Sequence, residues 1–196
     1  TAPENSVALL GAIGGECPGA VSIWPAASGP SSDPAYEPLE PEDLRTLFSP
    51  AHRDALGNAV TRGRLSLAGA QEKIALLRDE SGGWHLPLRG AVTSHILKQA
   101  TADFAHMLEN ELACMTLAHD CGLLVPAVGL AAPGVRVFCT ERFDRLSTAP
   151  ADRNLRAKLH QEDLSQVLGV SPERKYEGDG GPGLKKCAAV IRQYSR

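Results

Sequence analysis

The sequence predicts an α+β fold: a small antiparallel sheet over roughly 64–98 and 135–143 with one helix packed on it. Three observations carry this. Lys73-Ile74-Ala75-Leu76-Leu77-Arg78 is an apolar run of strand length. After it come the turn Ser81-Gly82-Gly83 and a returning segment in which Trp84, Leu86 and Leu88 alternate with polar or proline positions, the pattern of a hairpin. Phe104, Met107, Leu108, Leu112 and Met115 form a helical apolar stripe, and Val135, Val137 and Cys139 alternate as a further strand.

In chain order, residues 1–25 read as a short helix or strand mixture ending in Val21-Ser22-Ile23-Trp24-Pro25. Residues 26–38 are rich in Ala, Pro, Ser and Gly and predict a linker or surface loop. Glu40-Pro41-Glu42-Asp43 places proline and acids at a helix start, with Leu44, Leu47 and Phe48 following at i, i+3, i+4 spacing. The hairpin comes next, then a third strand in which Ile96 and Leu97 deliver Lys98. The strongest helix spans Phe104 to Cys121, with Gly122 placed to stop it. The last strand runs into Glu141-Arg142-Phe143. A shorter helix is predicted over about His160 to Leu168, ending at Gly169, and Leu184 to Tyr194 opens a final helix. There are no internal repeats.

Composition bounds the function. The chain has 196 residues, enough for one domain or one and a half, with 43% hydrophobic and 22% charged residues. A net charge of −3 and a pI near 6.1 give no footprint for direct nucleic-acid binding. No apolar run approaches the ~20 residues of a membrane span. No charged n-region followed by an apolar h-region opens the given sequence, and its start at Thr1 is what a processed or excerpted segment is expected to show. Cys17, Cys114, Cys121, Cys139 and Cys187 include no C-x-x-C pair, so reduced cytoplasmic thiols are expected, with Cys114 and Cys121 as small buried hydrophobes on one helix face. The histidines show no metal-ligand spacing.

Lys98 is the first candidate for chemistry. A lysine at the end of an apolar strand is costly unless an anion meets it. Glu111 sits between Leu108 and Leu112 on the helical stripe and needs a cationic partner. The two either pair, as a strand lysine and a helix glutamate do in kinases, or Lys98 snorkels to solvent with Glu111 at the edge of the stripe. The loop Ser66-Leu67-Ala68-Gly69-Ala70-Gln71-Glu72-Lys73 has small residues that let backbone N–H groups approach phosphate oxygens, although one glycine makes neither a Walker A nor a G-x-G-x-x-G motif. A small-residue loop followed by a strand-end lysine suggests the nucleotide-binding half of a kinase.

Four segments in this order carry a resemblance: Ser66 to Lys73, Ser94-His95-Ile96-Leu97-Lys98, Glu141-Arg142-Phe143-Asp144-Arg145, and Lys175-Tyr176-Glu177-Gly178-Asp179-Gly180-Gly181-Pro182-Gly183. Together they resemble the HipA family of bacterial Ser/Thr kinases, the toxins of HipBA-type toxin–antitoxin modules. The stretch from Leu9 to Val21 resembles the end of that family's N-terminal subdomain.

The resemblance implies three parts: the end of an N-terminal subdomain plus linker at 1–58, a protein-kinase-like N-lobe at 59–148, and the start of a helical C-lobe at 149–196. It implies ATP contacts from Ala68, Gly69, Ala70, Gln71, Glu72 and Lys73, with Lys98 on the phosphates, Glu111 paired to Lys98, and Glu141, Arg142 and Phe143 at the adenine. It implies that Ser66 is autophosphorylated. Asp144 and Arg145 read equally well as a surface ion pair, and Lys175 to Gly183 as a surface turn or lid. By the same resemblance the whole protein uses ATP and Mg²⁺, phosphorylates a protein (an aminoacyl-tRNA synthetase), arrests growth and partners a HipB-type DNA-binding antitoxin.

Two departures stand out. Gln99 follows Lys98 where family members often carry proline. The family's catalytic aspartate and its metal-binding aspartate fall beyond Arg196, so no residue here is a base or a Mg²⁺ ligand and the chain alone is expected to be inactive. The alternative is a non-catalytic split-kinase or pseudokinase module that acts by binding a partner.

Overall fold

The hairpin forms around one aspartate. Strand β2 (Lys73–Arg78) and strand β3 (Trp84–Leu88) run antiparallel. Between them Asp79 accepts hydrogen bonds from the Ser81 hydroxyl (2.6 Å) and the Gly83 amide (2.8 Å), and shares a third with His85 Nε2 (2.7 Å). A short acidic side chain that bonds its own turn in this way fixes the loop without help from packing. The Ser81, His85 and Gly83 hydrogen bonds hold the Asp79 carboxyl well below the usual carboxylate range.

The computed structural model describes residues 6–30, 33–48, 73–100, 105–131, 136–146 and 157–194. They fall into two compact units, Thr1–Leu159 and His160–Arg196. The first unit holds helix α1 (Ser6–Ile13), strand β1 (Ala35–Leu39), helix α2 (Pro41–Leu47), the β2–β3 hairpin, strand β4 (His95–Gln99), helix α3 (Met107–Asp120), strand β5 (Val128–Ala131), strand β6 (Val137–Glu141) and a two-stranded ribbon of β7 (Arg145–Leu146) and β8 (Ala157–Lys158). Six strands make one antiparallel sheet in the order β1-β3-β2-β4-β6-β5.

Register and the period of two decide the faces. Ile74 lies opposite Leu97, which lies opposite Cys139, and Leu76, Val137 and Trp84 share their face. Leu44 of α2 and Phe48, the residue that caps its C-terminus, close this face into a core. Burying each such side chain contributes about 1.5–3 kcal/mol. Glu40 and Asp43 form a capping box at the start of α2, with Pro41 at its first turn, as the acid-proline pattern predicts. The opposite face carries Ala75, Leu77, Lys98 and Phe138, and α3 packs on β5 and β6.

Several expectations need correction. The predicted loop at 26–38 contains most of β1, which pairs along its whole length with β3; Pro38 is tolerated because β1 is an edge strand. Strand β5 was not legible either, since Val128-Gly129-Leu130-Ala131 is short and includes a glycine. Helix α3 begins at Met107, and Phe104 lies outside the described residues. Its end is as expected: Gly122 takes φ +82° and its amide bonds to the His119 carbonyl. Cys114 and Cys121 are exposed, because they lie on the face of α3 turned away from the fully buried Leu108.

In the second unit, the helix predicted from His160 is the single turn α4 (Leu164–Val167). Asp163 stops it from starting earlier by capping: its Oδ1 accepts from the Gln166 amide and Gln166 Oε1 accepts from the Asp163 amide, both at 2.8 Å. Helix α5 (Leu184–Tyr194) matches its prediction. The Lys175–Gly183 segment is a tight 3₁₀ turn in which Gly180 takes φ +80°. No described helix is long and apolar enough to cross a membrane.

Candidate functional site

Strand β4 brings Lys98 onto the sheet face covered by α3, and there its ammonium pairs with Glu111. The side chains are 19% and 27% exposed, so the pair lies between core and solvent. The ammonium also sits 5.4 Å from the centroid of the Phe138 ring, a cation–π contact. Antiparallel register puts Lys73 directly opposite Lys98. Burial, and then the Lys98 charge, lower the Lys73 pKa, against a smaller opposing effect of Glu111. Two lysines facing each other across strands destabilise a sheet. Here Glu111 pairs with Lys98 while Lys73 lies opposite Lys98 on the neighbouring strand, and this cationic face would accept an anionic ligand. These donors fit a polyphosphate.

The sequence also places Ser66, Ala68, Gly69, Ala70, Gln71 and Glu72 at this site; all six lie outside the described residues.

Strand β6 ends at Glu141, and the chain turns through Arg142 and Phe143. The Glu141 amide donates to the Ala127 carbonyl (2.9 Å) and the Arg142 amide to the Ser94 carbonyl (2.8 Å). The Glu141 carbonyl accepts from the Thr140 hydroxyl (3.2 Å), and the Phe143 amide forms no hydrogen bond among the described residues. The Phe143 ring is 64% exposed.

The neighbours of Phe143 behave in the opposite way. Arg142, Asp144 and Arg145 are buried, so the reading of Asp144 and Arg145 as a surface pair is wrong. The two arginines are buried because a carboxylate meets them: Glu16, in the 3₁₀ turn Gly14–Glu16. Glu16 Oε1 lies 3.1 Å from Arg145 Nε, 3.0 Å from Arg145 Nη2 and 3.4 Å from Arg142 Nη1. It also accepts from the Thr93 amide and hydroxyl at 3.0 and 3.1 Å. The Lys158 ammonium stands 2.8 Å from Glu16 Oε2. Asp144 takes Arg142 Nε and Nη2 in a two-pronged contact at 2.9 and 2.7 Å, and accepts from the Gly19 amide at 2.7 Å. Burial opposes ionisation of Asp144, but the Arg142 and Gly19 hydrogen bonds and the two guanidinium charges outweigh it and keep its pKa low. Among the described residues no group of three or more His, Cys, Asp or Glu side chains is arranged to hold a metal ion.

The HipA-like C-terminal domain matches residues 65–196, well over half of the chain. The chain belongs to the HipA family. It is 36% identical over 199 aligned positions to a putative kinase, Y4mE, of Sinorhizobium fredii, covering 98% of this chain and 46% of that one. It is 31% identical over 182 positions to the serine/threonine-protein kinase toxin HipA of Shewanella oneidensis, covering 91% of this chain and 40% of the toxin. Among solved structures it resembles HipA of Shewanella oneidensis MR-1 in complex with HipB and operator DNA, with a TM-score of 0.70, 25% identity, and coverage of 95% of this chain and 42% of that one. The chain therefore spans less than half the length of these relatives.

Sequence reasoning about this HipA-family chain missed Glu16, Thr93 and Lys158. One signal was present. Glu16 is the only charged residue between Glu4 and Asp33, and a lone acid in an apolar stretch calls for a buried cation. Nothing local says that the cations are 126 and 129 residues away.

Proposed function

We propose that this chain is the ATP-binding part of a HipA-type serine/threonine-protein kinase. The Lys98–Glu111 pair, with Lys73 opposite Lys98, is the observation that carries the reading: it is a cationic face fixed between a sheet and a helix. Lys73 and Lys98 would hold the phosphates, with the loop Ala68 to Glu72 beside them. The Glu141–Phe143 turn would read the adenine, through the Glu141 carbonyl, the Phe143 amide and the exposed ring. ATP supplies the transferable phosphoryl group. In this reading the sheet is a kinase-like N-lobe, and the Mg²⁺ ligands and the catalytic base belong to the rest of the protein. The whole protein would act in the cytoplasm on a protein substrate, by the family resemblance an aminoacyl-tRNA synthetase, arresting growth. It would be autophosphorylated at Ser66. The Shewanella complex supports a HipB-type DNA-binding antitoxin as its partner.

Calorimetric titration of the full-length protein with ATP tests the reading. Lys98→Ala is expected to weaken ATP binding about 10- to 100-fold, or about 1.4–2.8 kcal/mol, for the loss of a charge-assisted phosphate contact in a partly exposed site. Equal affinity in wild type and variant would overturn the reading.

A further inference from the structure

The turn assigned to the base is bare on its outer side and heavily braced on its inner side. Phe143 faces out, while Arg142 and Arg145 point inward and converge on one carboxylate. The side chains of Arg142, Arg145 and Glu16 are 1%, 0% and 2% exposed. Five donor atoms from Thr93, Arg142 and Arg145 reach Glu16 Oε1. The same guanidinium groups also grip the backbone beside Glu16: the Cys17 carbonyl accepts from Arg142 Nη2 (3.4 Å) and Arg145 Nη2 (2.8 Å), and the Gly19 carbonyl from Arg145 Nη1 (2.9 Å). The Arg145 amide closes the turn on the Arg142 carbonyl at 3.2 Å.

The far side of the brace is fixed as well. The Trp24 ring lies so close to Gly15 and Gly90 that a Cβ on either would meet it at 2.7 or 2.2 Å. Gly90 also takes φ +77°, which only glycine adopts without strain. The Glu16 turn is thus pinned to the β3–β4 connection that also carries Thr93.

A buried ion network is an inefficient way to stabilise a fold, because apolar residues of similar volume do as well or better. What it supplies is direction. Planar guanidinium forks accept one geometry, and two of them on a common carboxylate fix the orientation of the backbone between them. We infer that Glu16 is a positioning residue: its carboxylate holds Arg142 and Arg145 and thereby sets the Glu141–Phe143 turn in the orientation that selects the nucleotide base. This rests on the reading of that turn as the base-contacting segment.

The test measures ATP and GTP affinity side by side on the full-length protein. The two ligands share their phosphates and ribose and differ only at the base, so their ratio reports base reading and not general integrity. Glu16→Gln keeps the shape and an acceptor oxygen but removes the charge. Because it leaves Arg142, Arg145 and Lys158 with one carboxylate, a second variant, Glu16→Gln with Lys158→Met, removes a cation too and restores the original charge balance. In both variants ATP affinity is expected to fall about tenfold, and GTP affinity to change by less than about twofold, so the preference for ATP collapses. If ATP and GTP weaken equally, or the ratio stays at the wild-type value in the folded charge-balanced variant, Glu16 is only a structural link and the inference is overturned. If the wild type itself shows no preference for ATP, the reading of the turn fails, and the inference with it. That outcome is recognisable before any variant is compared.

Discussion

Two charged clusters lie in the same unit and obey different rules. The Glu16 cluster sets two carboxylates, Glu16 and Asp144, against three cations, Arg142, Arg145 and Lys158, in a site closed to water except at Lys158, whose side chain is 17% exposed. The Lys98 cluster pairs Lys98 with Glu111, with Lys73 opposite Lys98, in a site still open to solvent. In the buried site, the backbone carbonyls of Cys17 and Gly19 also accept from the guanidinium groups. In the open site, solvent reaches both the ammonium and the carboxylate. Burial thus separates a cluster that holds the chain from one that solvent can reach.

The sharpest way to break this contrast is to remove each carboxylate or cation and compare stability. Glu16→Leu is expected to destabilise the protein by about 3–5 kcal/mol, because it strands buried cations without a partner. Lys98→Ala should cost about 1 kcal/mol or less, since solvent reaches the Glu111 left behind. Urea titrations of the two variants check this. Similar losses would mean that burial does not separate the clusters.

The same contrast explains what the sequence could reveal. Lys98 and Glu111 are 13 residues apart, on a strand and on the helix that follows it, so local periodicity brings both to one interface. The hairpin, α2, α5 and the Gly122 stop are also local features and were legible. The Glu16 cluster spans more than 120 positions, and its partners share no period. Arg142, Asp144 and Arg145 look like any surface charge run, because nothing in their own segment marks the buried acid they meet. Strands β1 and β5 were missed for a related reason. Both are edge strands, each paired on one side, and neither needs the alternation that a half-buried inner strand shows.

The second way to sharpen the comparison uses pH. Burial and the Lys98 charge lower the Lys73 pKa from 10.5. Its ammonium therefore costs the fold stability at neutral pH, a cost relieved as pH rises through the lowered value. A bound triphosphate would favour the ammonium and draw a proton back. ATP affinity should accordingly fall as pH rises between the lowered pKa and 10.5, with net proton uptake on binding in that window. Titration calorimetry in buffers of different ionisation enthalpy measures it, and Lys73→Met should flatten the profile. A flat wild-type profile would remove Lys73 from the phosphate site.

The smallest effect comes from the cysteines, which sample the open and closed regions directly. Burial raises the Cys17 pKa despite the nearby Lys158 charge, and pushes Cys139 up to about 11. Cys114 and Cys121 are exposed on α3. Since the thiolate is the nucleophile, an alkylating reagent at neutral pH should label Cys114 and Cys121 first and leave Cys17 and Cys139 unlabelled in the native protein. Cys17 adjoins Glu16 and its carbonyl accepts from both guanidinium groups, so its labelling rate measures opening of the brace. In Glu16→Gln, Cys17 labelling should accelerate while Cys139, in the core beneath α2, stays protected. If the two thiols become reactive together, the brace opens only when the whole unit unfolds, and the buried cluster is part of the core and not a separable support for the turn.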